Sequence, residues 1–159
     1  MYGAPEKHET EADTAEAVTS DLSSIRVGLI PGRNGQRLRN QLEFLLDPNA
    51  SPSARRYTLN VKLSDREDSL ALERSGFATR GNVEMTATFS LIDDATGSTT
   101  LTSTSRAVSG FNLLTNDFST MVARGDAFTR VVDQLAYEIR NRLAAHFTAQ
   151  ARAASADPS

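Results

Sequence analysis

The side chains able to do chemistry are few, and their spacing argues against catalysis. The 159-residue chain has two histidines, His8 and His146, and no cysteine. Neither histidine has a nucleophile or a metal ligand at a useful separation in the sequence. Without thiols there is no disulfide, thiol nucleophile or Cys-ligated metal. No Walker loop, GxGxxG or GxSxG motif occurs. Arg33-Asn34-Gly35-Gln36 follows an apolar run and opens a helical pattern, as a phosphate loop would. It holds one glycine, however, and lacks the Lys-Ser/Thr pair that grips a nucleotide. Asp65, Glu67 and Asp68 surround Arg66 as a solvated charge run, and Asp93-Asp94 has turn chemistry. The expectation is a non-enzymatic protein with no metal and no cofactor. A net charge of −3 and 6% aromatic residues also speak against a nucleic-acid module. What remains is arginine: of 17 basic residues, only Lys7 and Lys62 are lysine. The planar guanidinium makes paired hydrogen bonds to phosphate or carboxylate, although codon bias gives the same composition.

Hydrophobic periodicity supplies the elements that would hold these side chains. Leu38, Leu42, Leu45 and Leu46 recur at helical spacing within Arg33–Leu46, and Pro48 stops that helix. Asn34 or Gly35 is expected to start it. Ile25, Val27 and Leu29 alternate with Arg26, Gly28 and Ile30 as a first strand, ended by Pro31-Gly32. Tyr57, Leu59, Val61 and Leu63 form a second. Its apolar parity then changes toward Leu70 and Leu72, so a bulge is expected within Ser64–Ser69. Val83, Met85, Ala87, Phe89 and Leu91 form the strongest strand. Asp93–Gly97 closes a hairpin onto Thr99–Ser109, with positive φ expected at Gly97. Phe128, Val131, Val132, Leu135, Ile139, Leu143 and Phe147 stripe a long last helix, capped by Asn116 or Asp117. Gly125 weakens its start by ~1 kcal/mol relative to Ala, so Phe118–Arg124 is expected as a separate or frayed turn.

The element order gives an α+β, two-layer sandwich: a four-stranded mixed sheet with two helices on one face, β-α-β-β-β-α. Leu38, Leu42, Leu45, Tyr57, Leu59, Val61, Val83, Met85, Phe89, Val132, Leu135, Ile139 and Leu143 are the predicted core. The sheet's other face, including Asn60, Lys62, Thr86, Thr88, Ser90, Thr102 and Thr104, is polar and can stand in water or against a wet wall. Residues 1–21 carry six acids and little apolar bulk, and read as a flexible N-terminal tether. Residues 22–149 make the domain and 150–159 a disordered tail. No apolar run approaches the ~20 residues of a membrane span, and no secretory signal is present.

Several of these stretches, in this order, resemble the alphaproteobacterial form of the lipopolysaccharide-assembly lipoprotein family LptE. They are Ser24-Ile25-Arg26-Val27, Gly35-Gln36-Arg37-Leu38-Arg39-Asn40-Gln41-Leu42, Tyr57-Thr58-Leu59-Asn60-Val61 and Thr86-Ala87-Thr88-Phe89-Ser90-Leu91-Ile92-Asp93. Leu135-Ala136, Ile139-Arg140 and Leu143 close the series. Tyr2-Gly3 resembles the end of the segment that follows the family's lipidated cysteine. That cysteine is absent here, so the sequence as it stands cannot be acylated, and Met1 is read as an added start. The resemblance implies an outer-membrane lipoprotein on the periplasmic side, anchored through an N-terminal lipid. It also implies a role as plug of the LptD β-barrel, assisting insertion of lipopolysaccharide into the outer leaflet, with no enzymatic activity. By the same resemblance Arg74, at the tip of the hairpin joining the second and third strands, and Arg124, ahead of the last helix, are candidate lipopolysaccharide contacts. Arg80 is added on the physical ground that it shares the hairpin's end. The alternative is a cell-envelope binding or adaptor domain without a barrel partner.

Overall fold

The computed structural model describes residues 6–49, 55–70, 80–113 and 116–156. Seven elements follow in order: α1 (Glu6–Ser23), β1 (Ile25–Val27), α2 (Arg33–Leu46), β2 (Tyr57–Leu70), β3 (Arg80–Asp93), β4 (Thr99–Asn112) and α3 (Asp117–Ser155). The α+β class and the four-stranded mixed sheet are as the sequence implies, with a third helix added at the start. The sheet order is β1-β2-β3-β4. β1 lies parallel to β2, Ile25 opposite Tyr57 and Val27 opposite Leu59. The three long strands form an antiparallel meander.

Local chemistry explains most boundaries. α2 begins at Arg33 with Gly32 as its cap residue, at φ 86° and without a side-chain cap bond. Gly35 is not the start signal but a packing requirement. A Cβ there would sit 2.6 Å from the Ile30 carbonyl oxygen, so only glycine lets the first turn of α2 close onto the preceding loop. β1 ends at Val27, three residues short of the expected Ile30. The Gly28 N–H still donates to the Leu59 carbonyl at 2.9 Å, but the chain then turns, leaving Leu29 85% exposed and Ile30 buried. At the β3–β4 turn Gly97 takes φ 70° as expected, and its N–H donates to Asp93 O at 2.7 Å.

The bulge expected within Ser64–Ser69 is not there. β2 pairs with β3 without interruption from Tyr57 opposite Asp93 to Leu70 opposite Arg80. Parity is kept because Asp65 and Glu67 occupy the helix-facing positions that apolar residues hold lower down. The irregularity in the sheet falls instead in the β3–β4 pairing, at Leu91/Ile92.

The core lies between the sheet's odd-numbered face and the helices. Every predicted core residue is buried except Leu45, which is partly buried. Phe111 joins them, with its ring lying over Gly81, where no side chain would fit. α3 starts at Asp117, its first turn capped by Asn116 Oδ1 accepting from Phe118 N at 2.9 Å. It passes Gly125 without a break and continues to Ser155, so residues 150–155 are helical rather than tail. α1 likewise replaces most of the expected tether. Glutamate and alanine favour helix, and Val18 and Leu22, one turn apart, are buried in the common core. An ion pair between Asp21 and Arg56, at 3.3 Å, fixes its end to the start of β2.

Candidate functional site

Two surfaces are left for function. The first is the polar face of the sheet. Alternation puts Asn60, Lys62, Thr88, Thr102 and Thr104 in solvent along three neighbouring strands. Some polar groups of this face bond to one another: Thr88 and Thr104 hydroxyls lie 3.3 Å apart, and Thr58 donates to Asp94 at 2.7 Å. Arg106 Nη2 meets Glu84 Oε2 at 2.6 Å, and that hydrogen bond holds the Glu84 carboxyl below its usual range. Leu29 and Pro31 lean over this face and border a shallow depression of about 660 Å³.

The second surface is the end of the molecule where α3 begins. There the strands run beyond the apolar stripe of the helices, so charged residues can take inward positions. Arg124 lies inside α3, in its second turn, rather than ahead of the helix. Its Nε contacts both Glu67 carboxylate oxygens at 2.8 Å, and Nη2 reaches Oε2 at 2.7 Å. The guanidinium also lies 5.2 Å from the centroid of the Phe128 ring. The bond to Glu67 raises its pKa further, so it is charged at every accessible pH. Beside it a cleft of about 360 Å³ is lined by Arg33, Arg37, Asp65, Met121, Gly125 and Phe128, among others. Apolar side chains continue outward on α3, where Phe118, Met121 and Val122 are exposed.

Of the candidates named from the sequence, Arg74 lies outside the described residues. Arg80 opens β3 and is exposed. Its even position puts it on the polar face, opposite the side that carries Arg124, because the next residue, Gly81, is buried toward the helices. Arg80 and Arg124 therefore share an end but not a face. Arg33 and Arg37 were missed as site residues, although their spacing of four on the polar side of α2 was visible. Glu67 read as part of a solvated run and is instead the partner of Arg124. Among the described residues no group of three or more His, Asp or Glu could hold a metal ion. Nor is any helix long and apolar enough to cross a membrane.

The family model for LptE, described as lipopolysaccharide-assembly, matches residues 22–143. The chain belongs to the LptE family. The family's role is in lipopolysaccharide assembly. Solved structures of the same fold include a protein from Caulobacter crescentus CB15 described as a candidate lipoprotein. It is 24% identical with a TM-score of 0.69, covering 84% of this chain and 97% of the other. A minor lipoprotein from Acinetobacter baumannii is 23% identical with a TM-score of 0.59, covering 77% and 92%. The rare lipoprotein B from Shewanella oneidensis, 12% identical with a TM-score of 0.61, covers 76% and 93%. At these identities the likeness is one of fold. No curated protein matches the sequence significantly. The LptE match begins at Leu22, so α1 lies almost wholly ahead of the matched region.

Proposed function

We propose that this LptE-family chain is the plug of the LptD β-barrel at the periplasmic side of the outer membrane, held there by an N-terminal lipid, and that it assists insertion of lipopolysaccharide into the outer leaflet. The observation that carries the reading is the polar sheet face. Lumens of large membrane barrels are polar and wet. A face of hydroxyls and amides, with Glu84 and Arg106 paired internally and Lys62 left for water to solvate, suits a wet wall, where no charge need be buried unpaired. Within this reading Arg74, Arg80 and Arg124 are lipopolysaccharide contacts, since lipid A presents clustered phosphates to which a guanidinium gives paired charge-assisted bonds. The chain has no catalytic role.

The test is recovery from outer-membrane extract with the lipidated full-length form as bait. A large β-barrel is expected in the eluate. Thr88→Trp with Thr104→Trp should lower its recovery while leaving the melting temperature unchanged, since Thr88 and Thr104 are exposed in the isolated domain. An eluate without a barrel removes the plug reading.

A further inference from the structure

We propose that the cleft between the start of α2 and the first turns of α3 is a phosphate-monoester site formed by Arg33, Arg37 and Arg124, and that Glu67 of β2 is its internal gate. The proposal shares Arg124 with the lipopolysaccharide reading and otherwise stands apart from it.

Three observations lead there. Arg33 and Arg37 line the same cleft as Arg124. They are one helical turn apart, and neither has a hydrogen-bond or ion-pair partner among the described residues. Like charges one turn apart on a helix repel; against the three guanidiniums stand Asp65, which lines the cleft, and Glu67, which Arg124 already engages. The arrangement therefore holds uncompensated positive charge that a dianion would neutralise. Second, Arg124 is already gripped by an anion. The contacts of Nε and Nη2 with the Glu67 carboxylate, between 2.7 and 2.8 Å, use the same donor edge that would bind a phosphate. Glu67 thus occupies one third of the site, and a phosphate that bridges all three arginines must displace it. Third, there is room and there is apolar contact. A Cβ at Gly125 would meet nothing within 4 Å, and Met121 and Phe128 form part of the wall. A phosphate carried on an apolar body fits that wall; a free phosphate uses only the arginines.

The experiment titrates the domain with two probes that share a phosphate monoester: glycerol 3-phosphate, and phosphatidylcholine vesicles doped with phosphatidic acid. Both binding, or the vesicles alone binding, is the expected result; the first identifies the phosphate itself as ligand and the second a lipid headgroup. Arg33→Ala with Arg37→Ala should weaken binding by about tenfold or more, the scale of a charge-assisted hydrogen bond. Glu67→Gln should strengthen it by a similar factor. Glu84→Gln makes the same charge change on the polar face and should have no such effect. Melting curves establish that each variant is folded. The proposal is overturned if neither probe binds, if the double arginine variant binds like the unaltered protein, or if Glu67→Gln binds no tighter than Glu84→Gln. Neither probe contains a saccharide or a barrel, so these outcomes leave the plug reading untouched and bear on the lipopolysaccharide reading only through Arg124, which every variant here retains.

Discussion

His146 shows how a single buried side chain sets a pH response. It is half-buried on α3, its Nε2 has no hydrogen-bond partner, and burial lowers its pKa. The folded protein therefore prefers the neutral ring. In the unfolded chain the ring protonates at its ordinary value of about 6.5. As pH falls through that value the unfolded state takes up the proton first, and stability is lost until the folded pKa is reached. His146→Leu should thus flatten the decline in melting temperature between neutral and mildly acid pH, and a parallel decline in both proteins would contradict this. Gly35 gives a second residue-scale prediction. Gly35→Ala forces a methyl onto the backbone of Ile30 and should cost about 1–3 kcal/mol in denaturant unfolding. Its glycine was legible in the sequence, but its reason was not, because close approach between a helix and its own leading loop leaves no pattern in the chain. The same limit applied to Arg124. Its type suggested an anion, while its carboxylate partner sits 57 positions away on another element.

Elements governed by periodicity were legible, and those governed by docking were not. The leucine stripe fixed α2 to its observed bounds, and alternation located β2, β3 and β4. α1 has no such stripe. Two apolar residues and a favourable composition hold it, and its stability comes from α3 rather than from its own sequence. Leu22→Asp should accordingly release it. Amide exchange would speed up across Glu11–Ser20 while β3 stays protected, whereas unchanged protection of α1 would refute the two-residue foothold. The start of α3 was misjudged for a related reason. Gly125 does lower helix propensity, but the Asn116 cap opens the helix and the Arg124–Glu67 pair ties the residue next to Gly125 to β2. Because open space surrounds Gly125, Gly125→Ala should raise stability by about 0.5–1 kcal/mol, measured by denaturant midpoint.

At the scale of the whole molecule the chain has two unlike ends. Leu42, fully buried between them, belongs to the single core on which both depend, and Leu42→Ala should cost about 2–5 kcal/mol. For the lipopolysaccharide reading, Arg74→Asp is compared with Arg152→Asp. Binding should fall for the first and hold for the second, with equal melting temperatures; equal binding would remove Arg74 from the site. Arg152 serves as the control because it lies in the last turn of α3, remote from Arg124. α3 carries Arg124 near one end and Arg152 near the other, and the first half of α1, at Glu11, Thr14 and Ala15, lies beside Thr148, Arg152 and Ser155. At about 1.5 Å of rise per residue, Arg124 and Arg152 are about 42 Å apart along the helix. The hydrocarbon layer of a bilayer is about 30 Å thick. On the proposed anchorage, α3 is then a ruler longer than the layer itself. A protein tethered in the inner leaflet and seated upright in a barrel would carry its arginine pole to the depth of the outer headgroups without leaving its tether.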